Sequence, residues 1–369
     1  MKHPKSAYHA DRGFTRRDFI KTGLAGAAVL SVPGLCRNSF GADDKTLVIQ
    51  TWGGAIREVM KEVWFKPFTE KTGIKILTAD KTGGILPQIK AMVESNNVEW
   101  DIASGLGFAN VTRLTKENLL EPLDYSVIDT KNIYEDAFMP TALGCWVISA
   151  GLVYNTEKYP KGKELKSWAD FWDVKNFPGP RTLTSIPSTA VMDNFAFALM
   201  ADGVPKDKIY PYDLDRAFKK LDEIKPHITA WWSSGAHSQQ LFTDQEVWSG
   251  SMWNGRAMQI KKKGVPLNLM WEGARLTYNY WAVIKNAPNK KAAMEFLNFV
   301  SQAGPQSEFT KNMFYGPVNR RSFENMPEDL AKDINTYPSN KKLHFIPDED
   351  YLAEHEKELI EKWQTWISS

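Results

Sequence analysis

The sequence predicts an α/β protein folded as two lobes. Three observations carry this. Its 369 residues exceed one ordinary domain and suit two of roughly 150 each. From Thr46 to Ser104, short β-rich runs alternate with segments of helical period, and this βαβαβ order implies a parallel sheet with right-handed crossovers. Trp146 to Asn155 is a mostly apolar run, suited to a buried strand entering a second lobe. With 43% hydrophobic and 24% charged residues, the composition is globular and excludes general disorder.

The chain opens on an address. A basic stretch leads into Thr15-Arg16-Arg17-Asp18-Phe19-Ile20-Lys21, and an uncharged run of 15 residues follows from Thr22 to Cys36. That is short for a membrane span and right for a signal h-region. The paired Arg with a soft apolar run resembles a twin-arginine export signal. Ser39 and Gly41 place cleavage near Gly41 or Ala42, and Leu35 before Cys36 argues against a lipid anchor. Residues 1–41 hold seven basic and two acidic residues, so the overall charge of +2 becomes −3 once they are removed. The basic excess therefore belongs to the address. Cys145 would remain alone, unable to form an intrachain disulfide.

Beyond the leader, Thr46–Thr51 reads as a strand, and Ile56, Val59, Met60, Val63 and Trp64 give it a following helix. Gly73 ends that helix, and Ile74–Thr78 is a second strand. Ile85 to Glu94 is helical with Pro87 in its first turn, and Asp101–Ser104 is a third strand. Ligands of such sheets bind outside the carboxyl ends of the strands. Here those ends carry Trp52-Gly53-Gly54 and Ser104-Gly105. Later come a strand at Arg181–Ser185, helices from about Val191 to Ala201 and Asp213 to Ile224, strands at Trp248–Arg256 and Tyr280–Ile284, and amphipathic helices at Lys290–Gln302 and Asp350–Trp366.

Motifs of catalysis are missing. His227, His237, His344 and His355 have no compact metal spacing. There is no Gly-x-Ser-x-Gly elbow and no phosphate loop. Gly105-Leu-Gly107 reaches Asn110 where a dinucleotide fingerprint needs a small residue, so it reads as a turn. Basic residues form no aromatic-basic array for nucleic acid.

Trp52-Gly-Gly, Asp101-Ile-Ala-Ser104, Gly151-Leu-Val-Tyr-Asn155, Ser167-Trp-Ala-Asp170, Trp253-Asn-Gly-Arg-Ala257 and Glu272-Gly273 follow one another in a recognisable order. The succession resembles the extracytoplasmic solute-binding proteins of ABC importers, of the spermidine/putrescine-binding type. The resemblance implies a two-lobed periplasmic-binding-protein fold of type II, with a ligand cleft between the lobes. It implies residues 43–148 plus about 248–286 as one lobe, and 149–247 plus about 287–369 as the other. It also implies a periplasmic monomer that closes on a small ligand and serves a membrane permease and its ATPase, with no catalytic residue, metal or cofactor.

In that family an aromatic box holds an aliphatic amine, since ring faces attract cations and supply rigid apolar walls. Trp52, Trp232 and Trp253 match the box, with Tyr278 or Tyr280 as further candidates. Of the expected acids only Asp193 is clear: Arg256, Asn279 and Gly54 stand where acids belong, and Glu272 lies in a family motif. An Arg fork suits a carboxylate, and N–H groups at Gly53-Gly54 favour an anion. The expected site is therefore Trp52, Gly53, Gly54, Ser104, Thr189, Asp193, Trp232, Trp253, Asn254, Arg256 and Tyr278, holding a solute with at least one acidic group. The competing readings are a true polyamine binder with Arg256 paired to Glu272 or Asp193, a ferric-binding protein using Tyr278 and Tyr280, and an exported hydrolase or lyase.

Overall fold

The structure, a computed structural model, describes residues 45–81 and 83–369. The export segment expected at 1–41 lies outside them. The chain runs through β1 (Thr46–Thr51), α1 (Gly54–Met60), α2 (Lys66–Thr72), β2 (Lys75–Asp80), α3 (Ile85–Glu94), β3 (Ile102–Leu106), α4 (Phe108–Lys116), β4 (Phe138–Met139) and β5 (Ala142–Asn155). It continues through α5 (Trp168–Trp172), β6 (Arg181–Thr184), α6 (Pro187–Ala201), α7 (Leu214–Ile224), β7 (Ile228–Trp232), α8 (Gly235–Thr243), β8 (Ser249–Trp253), α9 (Asn254–Lys262) and β9 (Leu267–Val283). Five helices close it: α10 (Lys290–Val300), α11 (Ala303–Met313), α12 (Glu328–Lys332), α13 (Pro338–Lys341) and α14 (Glu349–Ser368).

Local chemistry sets the boundaries. A π-helical turn at Lys61–Phe65 joins α1 to α2, and Gly73 ends α2 in the left-handed conformation, at φ 73°. Pro187 opens α6, where its missing N–H costs nothing. Asp348 caps α14 by accepting from the Tyr351 N–H at 2.9 Å. Trp253 is the N-cap of α9, so the strand expected to run to Arg256 stops at Trp253, and Asn254 and Arg256 are helical.

The described strands join one mixed sheet in the order β2-β1-β3-β9-β5-β8-β6-β7, with β4 on β5. β1 pairs in parallel with β2 and β3, as the βαβαβ reading requires. β5 and β9 are long antiparallel partners that run through both halves. Leu143, Cys145, Trp146 and Val147 of β5 enter one core with Trp64, Phe68, Tyr280 and Trp281. Ala150, Leu152 and Tyr154 enter another, with Trp168, Phe195, Leu199 and Trp363. The fold is two-lobed α/β, with one sheet carrying two separate cores.

The cores divide the chain differently from the expected segments. Met252, Ala257 and Ile260, expected in the first lobe, pack with Trp232, Leu241 and Phe242. The reason is pairing: β8 lies between β6 and the second half of β5. Phe296, Leu297, Phe309 and Met313, expected in the second lobe, join Trp64 and Trp281. A short turn after β9 returns α10 to the core beside that end of the strand.

Candidate functional site

The crossing from one core to the other falls where Ser149 pairs with Leu276 and Ala150 with Arg275. A cavity of about 250 Å³ opens beside it. Its floor is β9, where Arg275, Thr277 and Asn279 share one face by the two-residue alternation of a strand. Ile148 of β5 and Trp253 at the end of β8 add apolar wall. Gly107 to Asn110 close one side at the start of α4, and Ser188, Thr189, Val191 and Met192 close the other at the start of α6. Glu349, Leu352 and the exposed Glu356 of α14 form the remaining wall. Two helix N-termini thus face the cavity from opposite sides, each with unused backbone N–H groups and a positive dipole end.

Arg275 is the charge at the centre. Its side chain is 4% exposed, and its guanidinium pairs with the fully buried Asp193 carboxylate of α6 through Nε. Nη1 donates to Thr277 Oγ1 at 2.6 Å, and Nη2 reaches Asp193 Oδ2 only at 3.5 Å. Asp193 holds the guanidinium firmly charged against the cost of its own burial. Burial pushes the Asp193 carboxyl up and Arg275 opposes it. Glu349 differs. Among the described residues its carboxylate has no ion pair or hydrogen bond, and burial pushes it up to about 7 despite the pull of Arg275.

Of the expected residues, Thr189, Trp253 and Tyr278 line the cavity, and Asp193 stands behind it on Arg275. Tyr278 only borders it. Its ring packs in the first core, 6.4 Å from Tyr280, and its buried hydroxyl has no partner among the described residues. The others sit elsewhere. Trp232 is fully buried in core, edge-on to Trp253 at 5.4 Å, and so supports the wall from behind. Asn254 is consumed by the fold: its Oδ1 accepts from the Ser149 N–H at 3.0 Å and its Nδ2 donates to the Phe314 carbonyl at 2.7 Å.

Trp52 donates its indole N–H to the Ser104 carbonyl at 2.8 Å, and Ser104 is sealed from solvent. Gly105 has φ 67°, and a methyl there would stand 2.5 Å from Trp52 Nε1, so only glycine lets the two strand ends meet. Gly53 and Gly54 turn beside Asp80, which the Thr51 hydroxyl and the Arg57 guanidinium bind. None of these four lines the cavity. It uses the end of β3, not that of β1.

Arg256 is a correction. Helix α9 turns it toward Gln239, whose Oε1 accepts from its Nη1 at 3.3 Å, and toward Tyr315. It pairs with neither expected acid: Glu272 is exposed and bridged to Lys206 at 2.9 Å, and Asp193 belongs to Arg275. The arginine that lines the cavity is Arg275. Gly107, Phe108, Asn110, Arg275, Thr277 and Glu349 escaped sequence reasoning. A signal existed for the β9 set, because Arg275, Thr277 and Asn279 alternate with apolar residues at strand period.

Tyr278 and Tyr280 make poor iron ligands here. Burial pushes both phenols up, against phenolate formation, and the Tyr280 hydroxyl is committed to the Asp136 carbonyl at 3.2 Å.

A family model for bacterial extracellular solute-binding protein matches residues 64–340. A gamma-aminobutyric acid-binding protein of Pseudomonas aeruginosa is 31% identical over 333 residues, spanning 89% of this chain and 92% of that one. A spermidine/putrescine-binding periplasmic protein of Salmonella typhimurium is 23% identical over 323 residues, 82% of this chain and 86% of that one. The solved Atu4243-GABA receptor is 35% identical, covers 87% of this chain and 97% of its own, and superposes with a TM-score of 0.79. With the family model spanning most of its length and a cavity at the crossing of two cores, this chain belongs to the bacterial extracellular solute-binding proteins.

Proposed function

We propose that this protein is the substrate-binding component of an ABC importer, and that its solute is a short zwitterion: a carboxylate joined to an ammonium by an apolar spacer. The observation that carries the reading is Arg275. Guanidinium has five N–H donors; the bonds to Asp193 and Thr277 leave a terminal N–H on Nη1 and on Nη2 uncommitted at the cavity. A solute carboxylate fits that fork, and the N-termini of α4 and α6 favour the same charge. Trp253, Ile148 and Phe108 suit the spacer. A polyamine fits less well, because Arg275 repels ammonium and Asp193 is already spent on Arg275. Two relatives named for γ-aminobutyric acid agree in ligand chemistry.

Calorimetric titration of protein purified from the periplasm tests this against γ-aminobutyrate, glutarate and putrescine. The expected order places γ-aminobutyrate first. Tighter binding of putrescine would overturn the zwitterion in favour of the polyamine reading.

Delivery proceeds through a permease and its ATPase, with the ligand shifting the population toward the closed form. Arg16 and Arg17 route the chain through the twin-arginine pathway to the periplasm, where it works as a monomer. Among the described residues no helix is long and apolar enough to cross a membrane.

A further inference from the structure

We propose that Glu349, at the start of the C-terminal helix, receives the cationic end of the solute and makes its capture depend on pH. The inference rests on the zwitterion reading and deepens it, by assigning the second charged group of the site.

The geometry comes first. Glu349 occupies the first turn of α14 and lines the cavity opposite the floor that carries Arg275. It is partly buried, yet among the described residues its carboxylate has no ion pair and accepts no hydrogen bond. A carboxylate drawn partly out of water without a partner is disfavoured as the ion, and a cation beside it offsets that. The other acid near the cavity, Asp193, is fully buried and already satisfied. The site therefore holds one satisfied acid, one arginine with spare donors and one unsatisfied acid. A zwitterion completes both open groups at once.

The structural alternative is that Glu349 merely complements the dipole of its own helix. Asp348 and Asp350 flank it and are exposed, so the dipole has acids without placing a third in a cavity.

The charged and titratable groups around Glu349 are few. Arg275 of β9 favours its ionised form, and Asp348 and Asp350 on either side oppose it. Tyr210, and Tyr280 of β9, feel its charge, and burial keeps both phenols neutral. Asp193 of α6 is neutralised by Arg275, Glu356 stands exposed at the rim, and α4 presents only Phe108, Ala109 and Asn110. Burial dominates and holds Glu349 at about 7. The sign follows: ammonium needs the carboxylate, so affinity is full above that value and falls as pH drops through it.

The test is calorimetry with γ-aminobutyrate between pH 5.5 and 8.5, on the wild type and on Glu349→Gln, with Glu356→Gln as the rim control. Wild-type Kd should weaken about tenfold from pH 8 to pH 6, over which the solute's own charges do not change. Glu349→Gln should bind at least about tenfold more weakly at pH 8, with a flat pH profile. Glu356→Gln should keep the wild-type profile. Folding of each variant is checked by circular dichroism and thermal melting; should Glu349→Gln not fold, the wild-type profile decides. Strong binding by Glu349→Gln, or a flat wild-type profile, overturns the role of Glu349 alone. Failure of the wild type to bind γ-aminobutyrate at any pH overturns the zwitterion reading, and this inference with it.

Discussion

Arg275 and Asp193 form a pair in which each residue makes the other tolerable. Both are almost wholly out of water, and the pair is worth little beside a well-packed apolar substitute, whereas half of it is costly. Arg275→Leu alone should therefore lower stability by about 3–5 kcal/mol, by stranding the Asp193 carboxylate or forcing it to take up a proton. Joining it to Asp193→Leu should recover most of that loss in urea unfolding while leaving γ-aminobutyrate unbound. A double variant no more stable than the single one would show that the pair is not coupled as described. The same residue marks where sequence reasoning stopped. A site arginine was inferred at Arg256 from the family resemblance, where an acid is expected three residues after Trp253. The chain instead turns into α9 at Asn254, which rotates Arg256 onto Gln239 and Tyr315. No local residue type announced that turn: Asn254 has no capping role there and is held by Ser149 and Phe314, both distant in sequence.

At the scale of elements, much was legible. β1, α3 and the end of α2 stand where periodicity and the breaker Gly73 place them, because local sterics decide such edges. What could not be read was which face of a long strand meets a distant helix. Arg275, Thr277 and Asn279 declare a face, but only the seating of α14 shows what lies across from it. That helix is anchored at its far end by Trp363, fully buried 6.1 Å from Phe195 and 5.7 Å from Trp231, and it also contacts α4. Trp363→Ala should cost about 3–5 kcal/mol and should also weaken solute binding, since the turn carrying Glu349 loses its anchor. Trp64→Ala, a comparable loss in the other core, should destabilise as much and leave Kd unchanged below the unfolding transition. Equal effects of the two on Kd would mean that α14 has no special part.

For the molecule as a whole, the decisive fact is that one sheet serves both cores, with β5 and β9 passing through each. Strands shared in this way couple the two halves, so calorimetry should show one cooperative unfolding transition. Solute at one hundred times its Kd should raise stability by about 2.7 kcal/mol and move that transition up by about 5 °C. Two separate transitions, with only one responding to the solute, would contradict the coupling. Glu349 follows the floor and the flanking walls of the cavity in chain order, so the wall it supplies is synthesised after them. The sheet, Arg275 and both flanking helices are synthesised before it. Until that wall is made the cavity has Arg275 without Glu349, so a solute that needs both charges gains its full hold only once α14 has packed on the second core.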